Sequence, residues 1–330
     1  MSVRSEERLL LGALLPERVH WAEETGAADG EPLPPWLFAE EEALMARATP
    51  GRRCEFATAR LCAHRALAAL GVTAAPLLRG RRGAPAWPAG TVGSITHCAG
   101  YRGAAVASAT RFLGLGIDAE PHAPLPSGVR EEVVCGPEEA RLRELAARRP
   151  DIAWDRLLFS AKESVYKAWS GYGGAWLGFE DAEVSWRLDA PDSPHPPALA
   201  RDVRSRPPAR ARDDRLHPSV LARDDFLHPS ARSRDDRLHP SARTRDDLAH
   251  TPSPAHDDRP YPAPRVRTEF PRASGRFRAR LLVPPPEGPC PLPRVLPGRW
   301  LVREGLLLTA VAVPRPVPLP PHRTALKEYR

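Results

Sequence analysis

The chain has 330 residues, a formal net charge of +7, 42% apolar residues and 40 prolines. That length supplies a real core for one large or two modest domains. The proline surplus is unevenly placed and marks a separate segment. A mild basic surplus suits a phosphate-bearing ligand or an acidic protein partner. Five cysteines, none in a C-x-x-C pair, fit reduced thiols in an intracellular protein better than a disulfide framework. The apolar stretch Leu9 to Leu15 is short and preceded by acids. It is neither a secretory leader nor a membrane span, which needs about 20 apolar residues. The expected location is the cytoplasm.

In chain order, residues 9–35 are mixed and leave through Pro32-Leu33-Pro34-Pro35. Trp36 to Ala48 reads as a Glu/Ala-rich helix that Pro50-Gly51 breaks. A longer helix runs from about Arg52 to Leu70 and closes at Gly71. Phe56, Ala59, Ala63, Leu67 and Leu70 form its apolar stripe, and Arg53, Arg60 and His64 lie together on another face, by periodicity a solvated one. Residues 79–90 carry Arg79, Arg81 and Arg82 among glycines and prolines. Such a loop can approach phosphates closely. Next come the small polar residues Ser94, Thr96 and His97, then a strand at 103–107. It is expected to form a hairpin with Leu113 to Glu120.

Leu113-Gly114-Leu115-Gly116-Ile117-Asp118-Ala119-Glu120 is an apolar strand ending in two acids spaced i, i+2. On a strand both project from one side, roughly 7 Å apart. Acids that close repel unless a cation or proton intervenes, and Mg²⁺ is the natural hard cation for oxygen ligands. A loop at 121–135 and a helix from Pro137 to Arg149 follow. Another helix starts near Asp155 as its N-cap and carries Lys162, Glu163 and Lys167. Leu158, Val165 and Trp169 share its buried face, and Glu163 with Lys167 read in isolation as an exposed i, i+4 pair. Strands are expected at 179–188 and 276–284. A closing hairpin runs from Trp300 through Arg303-Glu304-Gly305 to Val313, and a Pro-rich tail occupies 314–330.

Residues 190–271 differ in kind. An 11-residue unit recurs as Arg212-Asp-Asp-Arg-Leu-His-Pro-Ser, Arg223-Asp-Asp-Phe-Leu-His-Pro-Ser, Arg234-Asp-Asp-Arg-Leu-His-Pro-Ser and Arg245-Asp-Asp-Leu-Ala-His-Thr-Pro. With about one large apolar residue per unit, these cannot bury a core as a solenoid does, and the prolines argue against a helical supercoil. A disordered insertion in a surface loop is expected, because long loops cost little closure entropy.

The motifs Arg52-Arg53-x-x-Phe56-x-x-x-Arg60, Arg79-Gly80-x-x-Gly83-x-Pro85-x-Trp87-Pro88, Gly93-Ser94-Ile95-Thr96-His97, Gly116-Ile117-Asp118-Ala119-Glu120 and Phe159-Ser160-Ala161-Lys162-Glu163-x-x-Tyr166-Lys167-Ala168-Trp169 occur in an order that resembles the Sfp/EntD-type 4′-phosphopantetheinyl transferases. The resemblance covers about 15–189 and 272–313. It implies an α+β fold of two pseudo-symmetric subdomains, 15–112 and 113–189 plus 272–313, with coenzyme A in the cleft between them. The implied enzyme is a monomer that moves the phosphopantetheine arm of coenzyme A onto a serine of an acyl or peptidyl carrier protein and releases adenosine 3′,5′-bisphosphate. It would serve polyketide, nonribosomal peptide, siderophore or fatty acid synthesis, with no role for nucleic acid or membrane.

By the same resemblance Asp118, Glu120 and Glu163 are Mg²⁺ ligands, and Lys162 and Lys167 contact phosphate. Glu163 or a metal-bound water takes the serine proton. Arg52, Arg60 and His97 grip the 3′-phosphate of coenzyme A with Thr96 beside them. Arg79 stands where relatives often have Lys, and Trp176 matches an aromatic near the cofactor. Two other readings stay open: a member that binds coenzyme A without catalysis, and a scaffold acting through the Arg-Asp-Asp repeats.

Overall fold

The computed structural model describes residues 10–26, 38–80, 83–173, 176–189, 270–286 and 290–316. The predicted repeat insertion, except Phe270 and Pro271, lies outside these residues, as do Arg81, Arg82, Trp36 and the tail beyond Pro316. Among the described residues no helix is long and apolar enough to cross a membrane, and the five cysteines are free.

Two antiparallel sheets each carry one long helix. The first sheet has the order β1-β3-β2, from β1 (His20–Thr25), β2 (Thr91–Cys98) and β3 (Tyr101–Ser108). Helix α3 (Pro50–Leu70) lies on it through Cys62, Ala63, Ala66 and Leu67, which pack with Ala104 and Val106. The predicted break at Pro50-Gly51 is instead the start of this helix. Thr49 caps it by accepting the Arg52 amide at 3.4 Å. Pro50 follows at the first helical position, where its missing N–H has no partner to lose. Gly71 closes the helix at φ 83°, a left-handed conformation that costs glycine little.

The second sheet has the order β4-β8-β7-β6-β5, from β4 (Phe112–Pro121), β5 (Ala182–Leu188), β6 (Ala273–Leu281), β7 (Val295–Arg303) and β8 (Leu306–Pro314). The expected hairpin at Arg303–Gly305 forms, with Glu304 and Gly305 both at positive φ, as a two-residue turn requires. Helix α6 (Trp154–Gly171) covers one face of this sheet. Leu157, Leu158, Val165 and Trp169 meet Phe277, Ala279, Leu281, Trp300 and Val311 in the larger core.

Several expectations are corrected. Residues 9–35 contain α1 (Leu11–Leu14) and β1. The Trp36–Ala48 helix contracts to α2 (Ala39–Leu44), and the 121–135 loop contains α4 (Val129–Val133). Helix α5 is Glu138–Arg148, with Pro137 in the cap position. Asp155 is not an N-cap. It lies in the first turn of α6 and accepts the Leu125 amide at 3.0 Å. Pro314 closes β8 opposite Phe112, so the sheet extends into the predicted tail.

The predicted hairpin between 103–109 and 113–120 does not form. β3 lies between β1 and β2, and β4 pairs with β8. What joins the two sheets is a seam between β2 and β4. The Ser94 hydroxyl accepts the Ile117 amide at 3.0 Å, and the Thr96 hydroxyl accepts the Ala119 amide at 2.9 Å. Side chains of β2 thereby satisfy amides on the edge of β4 that no neighbouring strand reaches.

Candidate active site

The seam delivers Asp118 to α6. Along β4, Leu115, Ile117 and Ala119 point into one core while Gly114, Gly116 and Asp118 face the helix. The glycines have a steric reason. A Cβ on Gly116 would stand 1.8 Å from the Ser164 carbonyl oxygen, and one on Gly114 would stand 2.7 Å from that of Ala168. The helix backbone therefore rests directly on the strand, which no larger residue allows. This close approach lets Lys167 donate to Asp118 Oδ1 at 2.7 Å and to the Ile117 carbonyl at 3.0 Å.

Glu163, one turn before Lys167, shares the field of Asp118 and Glu120. Burial, and then the charges of Asp118 and Glu120 working against Lys167, push its carboxyl up to about 8. Glu120 is pushed up to about 7, chiefly by burial and by Asp118. Burial opposes the charge of Lys167, but Asp118 and Glu163 outweigh it and hold the ammonium above its ordinary range. The isolated pattern of an exposed Glu163–Lys167 pair is thus corrected: both side chains face the acids of β4.

A second polar group adjoins the first. Arg52 donates to Glu55 at 3.0 Å and to His97 Nε2 at 3.2 Å. A guanidinium only donates, so His97 Nε2 accepts and the ring proton sits on Nδ1. Burial, then Arg52 and Lys167, lower His97 to about 4, so the ring is neutral at physiological pH. Thr96 lies beneath Asp118, its hydroxyl 3.5 Å from Oδ1, and is committed to the seam.

The predicted solvated face of α3 is buried at two positions. Arg60 is 4% exposed, and its guanidinium lies over the Phe56 ring at 4.5 Å. Burial, opposed by Glu41 and aided by Arg79, lowers it to about 10. His64 meets Glu41 at 2.8 Å, and Glu41 also accepts the Leu77 amide at 2.8 Å. Arg53 pairs with Glu42 at 3.0 Å. Periodicity within one helix cannot reveal that α2 and residue 77 close over these side chains. Arg79 stands in the loop, bridged to Pro85, and Trp176 leans on Tyr166 with ring centroids 5.6 Å apart.

Lys162 does not join the site, and its predicted phosphate contact is corrected. It is 3% exposed. Its ammonium donates to Val133 O at 2.9 Å, Glu138 Oε2 at 2.7 Å and Phe179 O at 2.8 Å. All three donors are used. Adjacent helical residues point about 100° apart, and here Lys162 turns to Glu138 while Glu163 shares the field of the β4 acids.

Two contributors escaped the sequence patterns, and a third, Ser94, stands in a predicted motif that does not show its role of holding the seam. Glu55 gathers Arg52 and, at 3.6 Å, Arg102. Arg156 donates to Glu120 at 2.8 Å and to the Ala123 and Pro124 carbonyls at 3.1 and 3.0 Å. Nothing in the spacing of Arg156 distinguishes it from other surface arginines.

Fold and site together describe a two-sheet α+β protein with acids and cations gathered where the sheets meet. Comparison with known proteins gives that class its family. Residues 40–107 match the model of the 4′-phosphopantetheinyl transferase N-terminal domain, and residues 114–207 match that of the 4′-phosphopantetheinyl transferase superfamily. The chain is 55% identical over 183 residues to 4′-phosphopantetheinyl transferase Svp of Streptomyces mobaraensis, covering 55% of this chain and 73% of the relative. It is 46% identical over 184 residues to 4′-phosphopantetheinyl transferase PptT of Mycobacterium tuberculosis, covering 55% and 79%. Enterobactin synthase component D of Salmonella typhi is 36% identical over 134 residues, covering 41% and 55%. The chain belongs to the 4′-phosphopantetheinyl transferase family.

Proposed function

We propose that this transferase moves the 4′-phosphopantetheine arm of coenzyme A to a serine of an acyl or peptidyl carrier protein, with Mg²⁺, in the cytoplasm and as a monomer. The serine oxygen attacks the phosphorus that carries pantetheine. The bond from that phosphorus to the bridging pyrophosphate oxygen breaks, and adenosine 3′,5′-bisphosphate leaves. The cleft lies between the units 15–112 and 113–189 with 272–313. The observation that carries the reading is the meeting of Asp118 from β4 with Lys167 and Glu163 from α6.

The donor set suits a hard divalent cation at Asp118 and Glu163. Asp118 is 5% exposed, and its Oδ2 is buried with no hydrogen-bond partner, a lone-pair site that costs free energy if nothing fills it. Glu120 would complete the set on leaving Arg156. Among the described residues no three His, Cys, Asp or Glu side chains already stand at ligating geometry; Lys167 pairs with Asp118 and Arg156 with Glu120. Mg²⁺, when bound, supplies Lewis-acid polarisation of the pyrophosphate.

The chain's own groups supply the rest. Lys167 places a fixed positive charge where negative charge develops on the leaving phosphate. With its carboxyl held up to about 8, Glu163 would take the serine proton only once a cation beside it restores the carboxylate. Arg52, and Arg60 with Arg79, offer guanidinium groups for the remaining phosphates, with neutral His97 as a further polar contact. The test is incubation with coenzyme A, Mg²⁺ and several apo carrier proteins, read by the mass gain of the arm. Folded protein that adds no arm to any of them overturns the proposal.

A further inference from the structure

Lys162 and Glu138 lie away from the acids and form a closed polar network. Both side chains are 2% exposed. Besides Lys162, Glu138 accepts the Cys135 amide at 3.2 Å and the Val184 amide at 2.9 Å. Lys162 adds the carbonyls of Val133 and Phe179. The network thus ties α6 to the end of α4, the start of α5, the turn at Phe179–Asp181 and β5. It attaches to α6 one residue before Glu163.

The other side of α6 explains why such a tie is needed. There the helix rests on Gly114 and Gly116, which present no side-chain ridge. Ridges set into grooves are what ordinarily fix the rotation and slide of a packed helix. A smooth cradle sets the helix-to-strand distance there but adds nothing against rotation, which is left to the apolar face α6 turns to the larger core, to Ser160 against Thr309 and to the Lys162 network. Of these, the three directional hydrogen bonds from Lys162 reach the most separate elements and lie next to Glu163.

We propose that Glu138 and Lys162 are positioning residues: a buried strut that sets the rotation of α6 and thereby aims Glu163 and Lys167 at Asp118. This rests on the transferase reading for its kinetic consequence, and on the geometry alone for its structural one. The strut touches neither phosphate nor metal, and Arg52, Arg60 and Arg79 keep their places without it, so its loss moves turnover far more than coenzyme A binding.

The test uses the full chain with Glu138→Asp, Glu138→Gln, Lys162→Met and the double variant Glu138→Gln/Lys162→Met. Each variant is expected to lower kcat by about 100-fold, the cost of misplacing a reacting group by about 1 Å. KM for coenzyme A should stay within about twofold, since uniform binding is untouched. The double variant, which leaves no lone buried charge, should regain melting temperature over the two single neutral variants without regaining turnover. Recovery of turnover together with stability would reduce the pair to a structural role and overturn the proposal. So would a raised coenzyme A KM in Lys162→Met with an unchanged one in Glu138→Gln, which would make Lys162 a ligand contact. Glu138→Asp keeps the charge and guards against unfolding of the others. Its crystal structure should show the Glu163 carboxylate displaced from Asp118, and a superposable site overturns the strut even if the wild-type protein transfers nothing. Wild-type inactivity on every carrier would instead count against the transferase reading.

Discussion

Gly116 is where one methyl group tests the whole site. Its added Cβ would meet a backbone oxygen at 1.8 Å, and ordinary contact requires α6 or β4 to retreat by about 1.5 Å. The wall is a helix carbonyl, not the far end of a flexible side chain, so Gly116→Ala falls at the upper end of overpacking costs, about 3 kcal/mol. For a fold of this size that lowers the melting temperature by about 6–12 °C. The retreat also stretches the 2.7 Å contact between Lys167 and Asp118 beyond hydrogen-bond range. Arm transfer should fall by about 100-fold. Calorimetry and a mass-detected transfer assay read the two effects. Gly51→Ala is the control, because nothing lies within 4 Å of its added Cβ and alanine favours a helix by about 0.5–1 kcal/mol. Wild-type melting and transfer in Gly116→Ala would refute the close-approach account of the site.

Asp118→Asn should abolish any Mg²⁺-dependent rise in melting temperature, because a ligand that binds only the folded state stabilises it by mass action; an undiminished rise would remove Asp118 from the metal site. Glu23 accepts Leu10 N, Leu11 N and the Tyr101 hydroxyl at 2.6, 3.1 and 2.6 Å, yet burial raises its carboxyl above 4.5. The folded state therefore holds this proton more tightly than the unfolded chain. The associated stability is present below about pH 4.5 and is lost as pH rises through the folded value. Glu23→Gln should flatten the decline of melting temperature over that range, and an unchanged slope would refute the assignment. Replacing 190–269 by a short Gly/Ser linker should leave transfer intact, since Leu188 and Gly275 are paired neighbours and loop length carries little closure cost. Loss of transfer in a folded variant would place function in the repeats.

The strand ending in Asp118 and Glu120 and the helix carrying Glu163 and Lys167 were legible because each signal is local: an apolar run ending in acids spaced i, i+2, and a helix whose Glu and Lys stand four residues apart. The pairing of β4 was not, since chain proximity favoured a hairpin with β3 while the hydroxyls of Ser94 and Thr96 gave its edge another partner. Lys162 illustrates the limit more sharply. The resemblance set it beside Glu163, and only the distant Glu138, Val133 and Phe179 reveal that it turns the other way. Arg60 and His64 are misread for a like reason: a helical wheel gives direction but not what covers it. β1 escaped notice because its six residues alternate weakly and none is fully buried.

The seam between β2 and β4 also creates two reporters. The amides of Ile117 and Ala119 bond across it only to side-chain hydroxyls, whereas the backbone ladders of both sheets stay within their own halves. If the halves part without unfolding, these two protons are released while the ladders stay closed. Their isotope exchange with solvent therefore reads the parting of the halves separately from unfolding, and places a gauge on either side of Asp118.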